Sequence, residues 1–77
     1  MNYYLTIMEK KVIDRRREFS PNWDRSDNLW LLTLLEEISE LILSLRGKHD
    51  NPPDLELVEI ASICINWLEK RKSESEE

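Results

Sequence analysis

Apolar residues recur at intervals of three and four along most of this chain, and almost no stretch alternates as a β-strand does. Leu5, Met8, Val12 and Phe19, with Tyr4 and Ile7 beside them, predict a first helix over residues 3–19. Its other face carries Lys10, Lys11, Arg15, Arg16 and Arg17. Ser20-Pro21 ends it, because proline disfavours a helical residue before it. Residues 20–27 read as a loop, with Ser26 or Asp27 as the N-cap of a second helix over 28–46. Gly47 fits the left-handed position that closes a helix. Residues 48–51 form the connecting turn, and Pro52-Pro53 opens a third helix over 53–72. The tail, 73–77, is too polar to bury and is expected to be disordered.

Helices two and three are apolar nearly all round. On the second, Trp30, Leu31, Leu34, Leu35, Ile38, Leu41, Ile42 and Leu45 fill one broad arc, and only Thr33, Glu36, Glu37, Glu40 and Ser44 form a polar stripe. On the third, the stripe left over is Glu59, Ser62, Asn66 and Lys70. A helix of this kind requires burial on nearly every side, which three helices from one chain cannot supply. The expected fold is therefore all-α. Three helices per chain pair antiparallel across a short turn, and helices two and three meet their copies in a second subunit as a four-helix bundle.

Seventy-seven residues make one small domain, of a size that often depends on oligomerisation. The single cysteine, Cys64, sits in an apolar run and reads as a buried, inert thiol. Met1-Asn2-Tyr3-Tyr4 does not resemble a signal peptide, and no uncharged apolar run approaches the ~18 residues of a membrane span. These features predict a cytoplasmic protein without a membrane partner. A net charge of −5 argues against binding a nucleic-acid polymer, whose phosphates reward clustered positive charge.

The chemistry lies in the polar stripes. Glu37 and Glu40 are three residues apart and Glu36 and Glu40 four apart, so all share one helix face. In an antiparallel pair, Glu59 and Ser62 can face Glu37 and Glu40. Carboxylates converging in a partly dry groove repel one another unless a cation joins them. Oxygen donors without a Cys or His pair suit magnesium, with manganese as the alternative.

Leu34-Leu35-Glu36-Glu37-Ile38-Ser39-Glu40-Leu41, followed by Val58-Glu59-Ile60-Ala61-Ser62-Ile63, resembles the paired motif of the MazG-like all-α NTP pyrophosphohydrolases: Glu-Glu-x-x-Glu, a spacer, then Glu-x-x-Asp. Phe19, Trp23 and Asn28-Leu29-Trp30 are similar to the lead-in of the dCTP and dUTP branch. The resemblance covers about residues 17–68. It implies a helical homodimer or homotetramer that cleaves a nucleoside triphosphate to the monophosphate and pyrophosphate with magnesium, as in house-cleaning of the nucleotide pool. It further implies Glu37, Glu40 and Glu59 as metal ligands, with Glu36 behind them among the catalytic acids. Ser62 stands as a metal ligand where the family has Asp. Trp23 matches a base-pocket region, and Asn66 and Lys70 are candidates for holding phosphates. Arg15 to Arg17 are further phosphate candidates, or else a solvated face. A register shift to Glu56-x-x-Glu59 restores the fourth acid, but Val58-Glu59-Ile60-Ala61-Ser62 fits the family pattern better. The missing acid and the short chain also admit a catalytically degenerate relative that binds nucleotides or proteins. His49, alone in the turn, is assigned no role.

Overall fold

A computed structural model of the chain describes residues 3–75. It contains α1 (Tyr3–Phe19), a 3-10 turn (Ser20–Asn22), α2 (Asp27–Leu45) and α3 (Pro53–Ser75), with no strand among the described residues. No helix among these residues is long and apolar enough to cross a membrane.

The helix ends follow from local chemistry. Ser26 is extended, and its Oγ accepts from the Leu29 amide, the N-cap contact expected of serine. Gly47 has φ +72°, and the amides of Gly47 and Lys48 donate to the Ser44 and Leu43 carbonyls at 3.0 and 2.8 Å. That pair of bonds satisfies carbonyls which the end of α2 would leave orphaned. Pro53 opens α3, where its missing N–H costs nothing, and the Pro52 carbonyl accepts from Leu55 and Glu56. The expected loop at 20–27 contains the 3-10 turn. Helix α3 runs three residues past the expected end, because Lys70 pairs with Glu74 one turn on and Ser75 Oγ donates to the Lys72 carbonyl. Residues 73–75, expected in the disordered tail, form the last turn of α3; residues 76 and 77 lie outside the described residues, as do 1 and 2 at the start.

Helix α3 packs against both α1 and α2, which do not approach each other backbone to backbone. The molecule measures 44 × 30 × 18 Å, the shape of a single layer of helices. The apolar core lies at one end of that layer. Phe19, Trp30 and Ile63 are buried there, with Trp23, Leu34 and Trp67 packed against them. Phe19 and Trp23 meet Trp30 edge to face, at centroid distances of 4.8 and 5.7 Å, which favours aromatic pairs beyond their burial. Arg25 lies over the rings of both Phe19 and Trp30 at 5.1 Å.

Burial is otherwise inverted. The polar residues Glu37, Ser44, Glu56, Ser62, Asn66 and Lys70 are buried. Leu31, Leu32, Leu35, Ile42, Leu43 and Leu45 of α2 are exposed, as are Leu57 and Leu68 of α3. Helix α2 turns most of its apolar arc outward, whereas α3 buries Val58 and Ile63 beside its polar stripe and exposes Leu57 and Leu68.

Candidate metal centre

The antiparallel seam between α2 and α3 changes character along its length. At the aromatic end Trp30 and Ile63 fill it; toward the α2–α3 turn it is lined by acids. Trp30, Glu37 and Ser44 recur every seven residues, so the same inward face of α2 carries all three. Glu56, Ile63 and Lys70 repeat likewise on α3.

Glu37 and Glu59 meet through Arg15, which reaches in from α1. One guanidinium nitrogen of Arg15, Nη2, donates to Glu37 Oε1 at 2.7 Å and to Glu59 Oε2 at 2.6 Å, and its Nε donates to Glu59 Oε2 at 3.0 Å. Lys11, one turn earlier on α1, pairs with the other Glu59 oxygen at 2.8 Å. Lys11 and Arg15 are four residues apart on one face and supply the counter-charge of the acids, while Lys10 and Arg17 stay exposed.

A second acid pair lies nearer the turn. Glu40, His49 and Glu56 place ligand atoms within 4.8 Å of one another. Glu56 is fully buried. Its Oε1 accepts from Asn51 Nδ2 at 3.1 Å, and its Oε2 has no donor. The seam therefore holds four carboxylates as two cross-helix pairs, Glu37 with Glu59 and Glu40 with Glu56.

The charges act on one another strongly. Burial pushes the Glu37 carboxyl up to about 7; Arg15 pulls it back, and a hydrogen bond and charge repulsion from Glu40 add to the rise. Glu37 Oε2 is buried without a donor. Glu59 behaves oppositely. Burial raises it too, but the hydrogen bonds from Lys11 and Arg15 outweigh that and hold it below the usual range.

The remaining candidates are placed elsewhere. Glu36 is exposed, outside the seam. Ser62 is fully buried, and its Oγ donates to its own helix, to the Glu59 carbonyl at 2.7 Å. Asn66 is also fully buried. Its amide donates to the Val12 and Ser62 carbonyls, and its Oδ1 accepts from Arg16 Nε, so it fastens α1 to α3. Lys70 pairs with Glu74 at 2.8 Å and lies 3.9 Å from Asp24. It is eleven residues beyond Glu59, roughly 16 Å along the helix axis. Trp23 is half-buried against Trp30, with the Arg16 guanidinium over its ring at 5.4 Å. Cys64 is a free thiol at an intermediate position, less buried than its apolar neighbours led one to expect. Two residues that the sequence reading set aside lie beside Glu40: Glu56, passed over because the Glu59-x-x-Ser62 register fits the family pattern better, and His49, for which the sequence carries no signal.

The donor set fits a divalent cation. It offers hard oxygen atoms, and two buried carboxylate oxygens, on Glu37 and Glu56, have no donor. In comparisons with family models, curated proteins and solved structures, nothing matches this chain.

Proposed function

We propose that the chain is a minimal magnesium-dependent nucleoside triphosphate pyrophosphohydrolase of MazG-like type, working as a homodimer or homotetramer. The observation that carries this reading is the double pairing of Glu37 with Glu59 and Glu40 with Glu56 across one helix seam, with buried oxygens lacking donors. Four acids at this spacing supply the charge that Glu37, Glu40, Glu59 and Ser62 alone lacked. Glu37, Glu40, Glu56 and Glu59 would hold the ion, which polarises phosphoryl oxygens and favours deprotonation of a bound water. In the reaction, a water oxygen bonds to the α-phosphorus and the bond to the bridging oxygen breaks. Pyrophosphate leaves with that electron pair, and the water's proton passes to a carboxylate of the seam. Arg15 and Lys11 neutralise the acids and offer donors to the triphosphate, which is anionic where they are cationic. The exposed apolar arcs of α2 and α3 support assembly with a second copy, which closes the layer into a bundle.

One observation favours a second reading. The Arg15 guanidinium already bridges Glu37 and Glu59. Such a bridge can serve as a permanent structural substitute for a metal, leaving a catalytically silent module that binds nucleotides or proteins. Pyrophosphate release from a panel of NTPs and dNTPs with magnesium separates the two. The hydrolase reading expects release from at least one substrate and its loss in Glu40→Gln and Glu56→Gln. No release from any substrate sinks that reading. Release confined to Arg15→Ala would establish the guanidinium as the block.

A further inference from the structure

The α2–α3 turn is stitched to the acid seam. Ser44 Oγ donates to the Asn51 carbonyl at 2.6 Å, the Asn51 amide donates to His49 Nδ1 at 3.1 Å, and Asn51 Nδ2 donates to Glu56 Oε1 at 3.1 Å. His49 is half-buried by this network, and its Nδ1 lies 3.4 Å from Glu56 Oε1. Glu56 is fully buried and its Oε2 has no donor. Glu40 supplies a third ligand atom, and the three lie within 4.8 Å of one another. Around an ion with bonds of ~2.0–2.2 Å, neighbouring donors sit roughly 3–3.5 Å apart. The His49–Glu56 spacing of 3.4 Å already meets that, and Glu40 lies within 4.8 Å of both.

We infer that Glu40, His49 and Glu56 form a mixed nitrogen–oxygen site for a divalent transition-metal ion. His49 thereby gives the centre a preference for an ion such as manganese over magnesium. The inference rests on the preceding reading only in taking the seam to be a metal centre; it adds a ligand and a selectivity. An all-carboxylate site treats the two ions as similar hard cations, whereas an imidazole ligand favours the transition ion. Asn51 Nδ2 holds the Glu56 carboxyl before the ion arrives, as supporting hydrogen bonds do around metal ligands. Binding exchanges the Asn51 N–H contact at Nδ1 for the metal, and Glu56 Oε2 gains the partner it lacks.

The test uses the full chain and two probes, manganese and magnesium. Electron spin-echo spectroscopy of bound manganese should show nitrogen-14 coupling from a directly ligated imidazole. His49→Ala should abolish that coupling and weaken manganese binding about tenfold, with magnesium binding nearly unchanged. His49→Gln, which keeps an acceptor for the Asn51 amide, should behave like His49→Ala if the ring nitrogen is the ligand. Manganese bound without nitrogen coupling overturns the inference, as does failure to bind manganese at all. Equal loss of both metals in the two variants does so too. Pyrophosphate release is scored separately: coupling without release leaves this site standing and removes the hydrolase reading, and release without coupling does the reverse.

Discussion

Glu37 is the residue at which the energetics of this chain concentrate. Its carboxyl titrates near 7 in the fold against 4.5 ordinarily, mainly because burial disfavours its charge. Between those values the folded protein holds a proton that the unfolded chain has released, so this group's contribution to stability falls as pH rises through that window. Glu59, held below the usual range, has the opposite sign: its contribution is present above its ordinary pKa and is lost as pH falls through the folded value. In metal-free protein, Glu37→Gln should therefore leave stability nearly unchanged at pH 4, below both values. At pH 8 it should raise stability by about 1–2 kcal/mol, the shift being discounted for solvent screening. Melting curves at the two pH values check this; equal effects at both would mean that Glu37 ionises normally. On the metal-centre reading, bound magnesium must displace that same proton. The rise in melting temperature with magnesium should then be larger at pH 8 than at pH 6 in the wild type, and no larger in Glu37→Gln. At this scale the shared face of Glu37 and Glu40 was legible, because a spacing of three puts acids on one side of a helix. The placement of Glu56 beside Glu40 was not. A shift of three residues is nearly one helical turn, so either register of the second motif presents almost the same apolar flanks. Only the neighbouring helix, whose register the turn sets, distinguishes Glu56 from Ser62.

That turn makes Gly47 the element-scale determinant of the centre. Its φ of +72° starts the reversal that brings α3 back alongside α2 and sets Glu56 beside Glu40. A Cβ there would meet nothing within 4 Å, so the cost of Gly47→Ala is conformational rather than steric crowding by neighbours. The substitution should destabilise the chain by about 1 kcal/mol, seen as a lower denaturant midpoint with an unchanged slope. A loss several times larger would mean that the turn also carries packing. Helix starts and stops of this kind were readable because single residues decide them: Ser26, Gly47 and Pro53 each act through one backbone group. The far end of α3 was not, since it depends on weak side-chain pairs such as Lys70 with Glu74 that accumulate over a turn.

For the molecule as a whole, the inverted burial decides what must happen next. The sequence led to the expectation of a partner, because helices two and three are apolar nearly all round. It did not say which stripe each helix turns inward. The fold turns in the polar stripes, because Lys11 and Arg15 on α1 meet the acids there and leave few of them bare. The consequence is an α2 surface on which Leu31, Leu35, Ile42 and Leu45 recur at helical spacing while 43 to 67 % exposed. Isolated exposed leucines are ordinary, but a continuous stripe on a layer only 18 Å thick leaves no second layer to complete a core. On the proposed assembly, sedimentation should find the wild type as a dimer or tetramer at micromolar concentration. A charge placed mid-stripe, Leu35→Glu or Ile42→Lys, would be buried unpaired in such an interface. It should shift the protein to monomer and lower its stability by several kcal/mol. The magnitude of the second effect matters as much as the first, because one layer of helices has little core of its own beyond Phe19, Trp30, Val58 and Ile63. A wild-type chain that sediments as a monomer with full helicity would overturn the assembly. The acid seam would then have to do its chemistry from a single open layer.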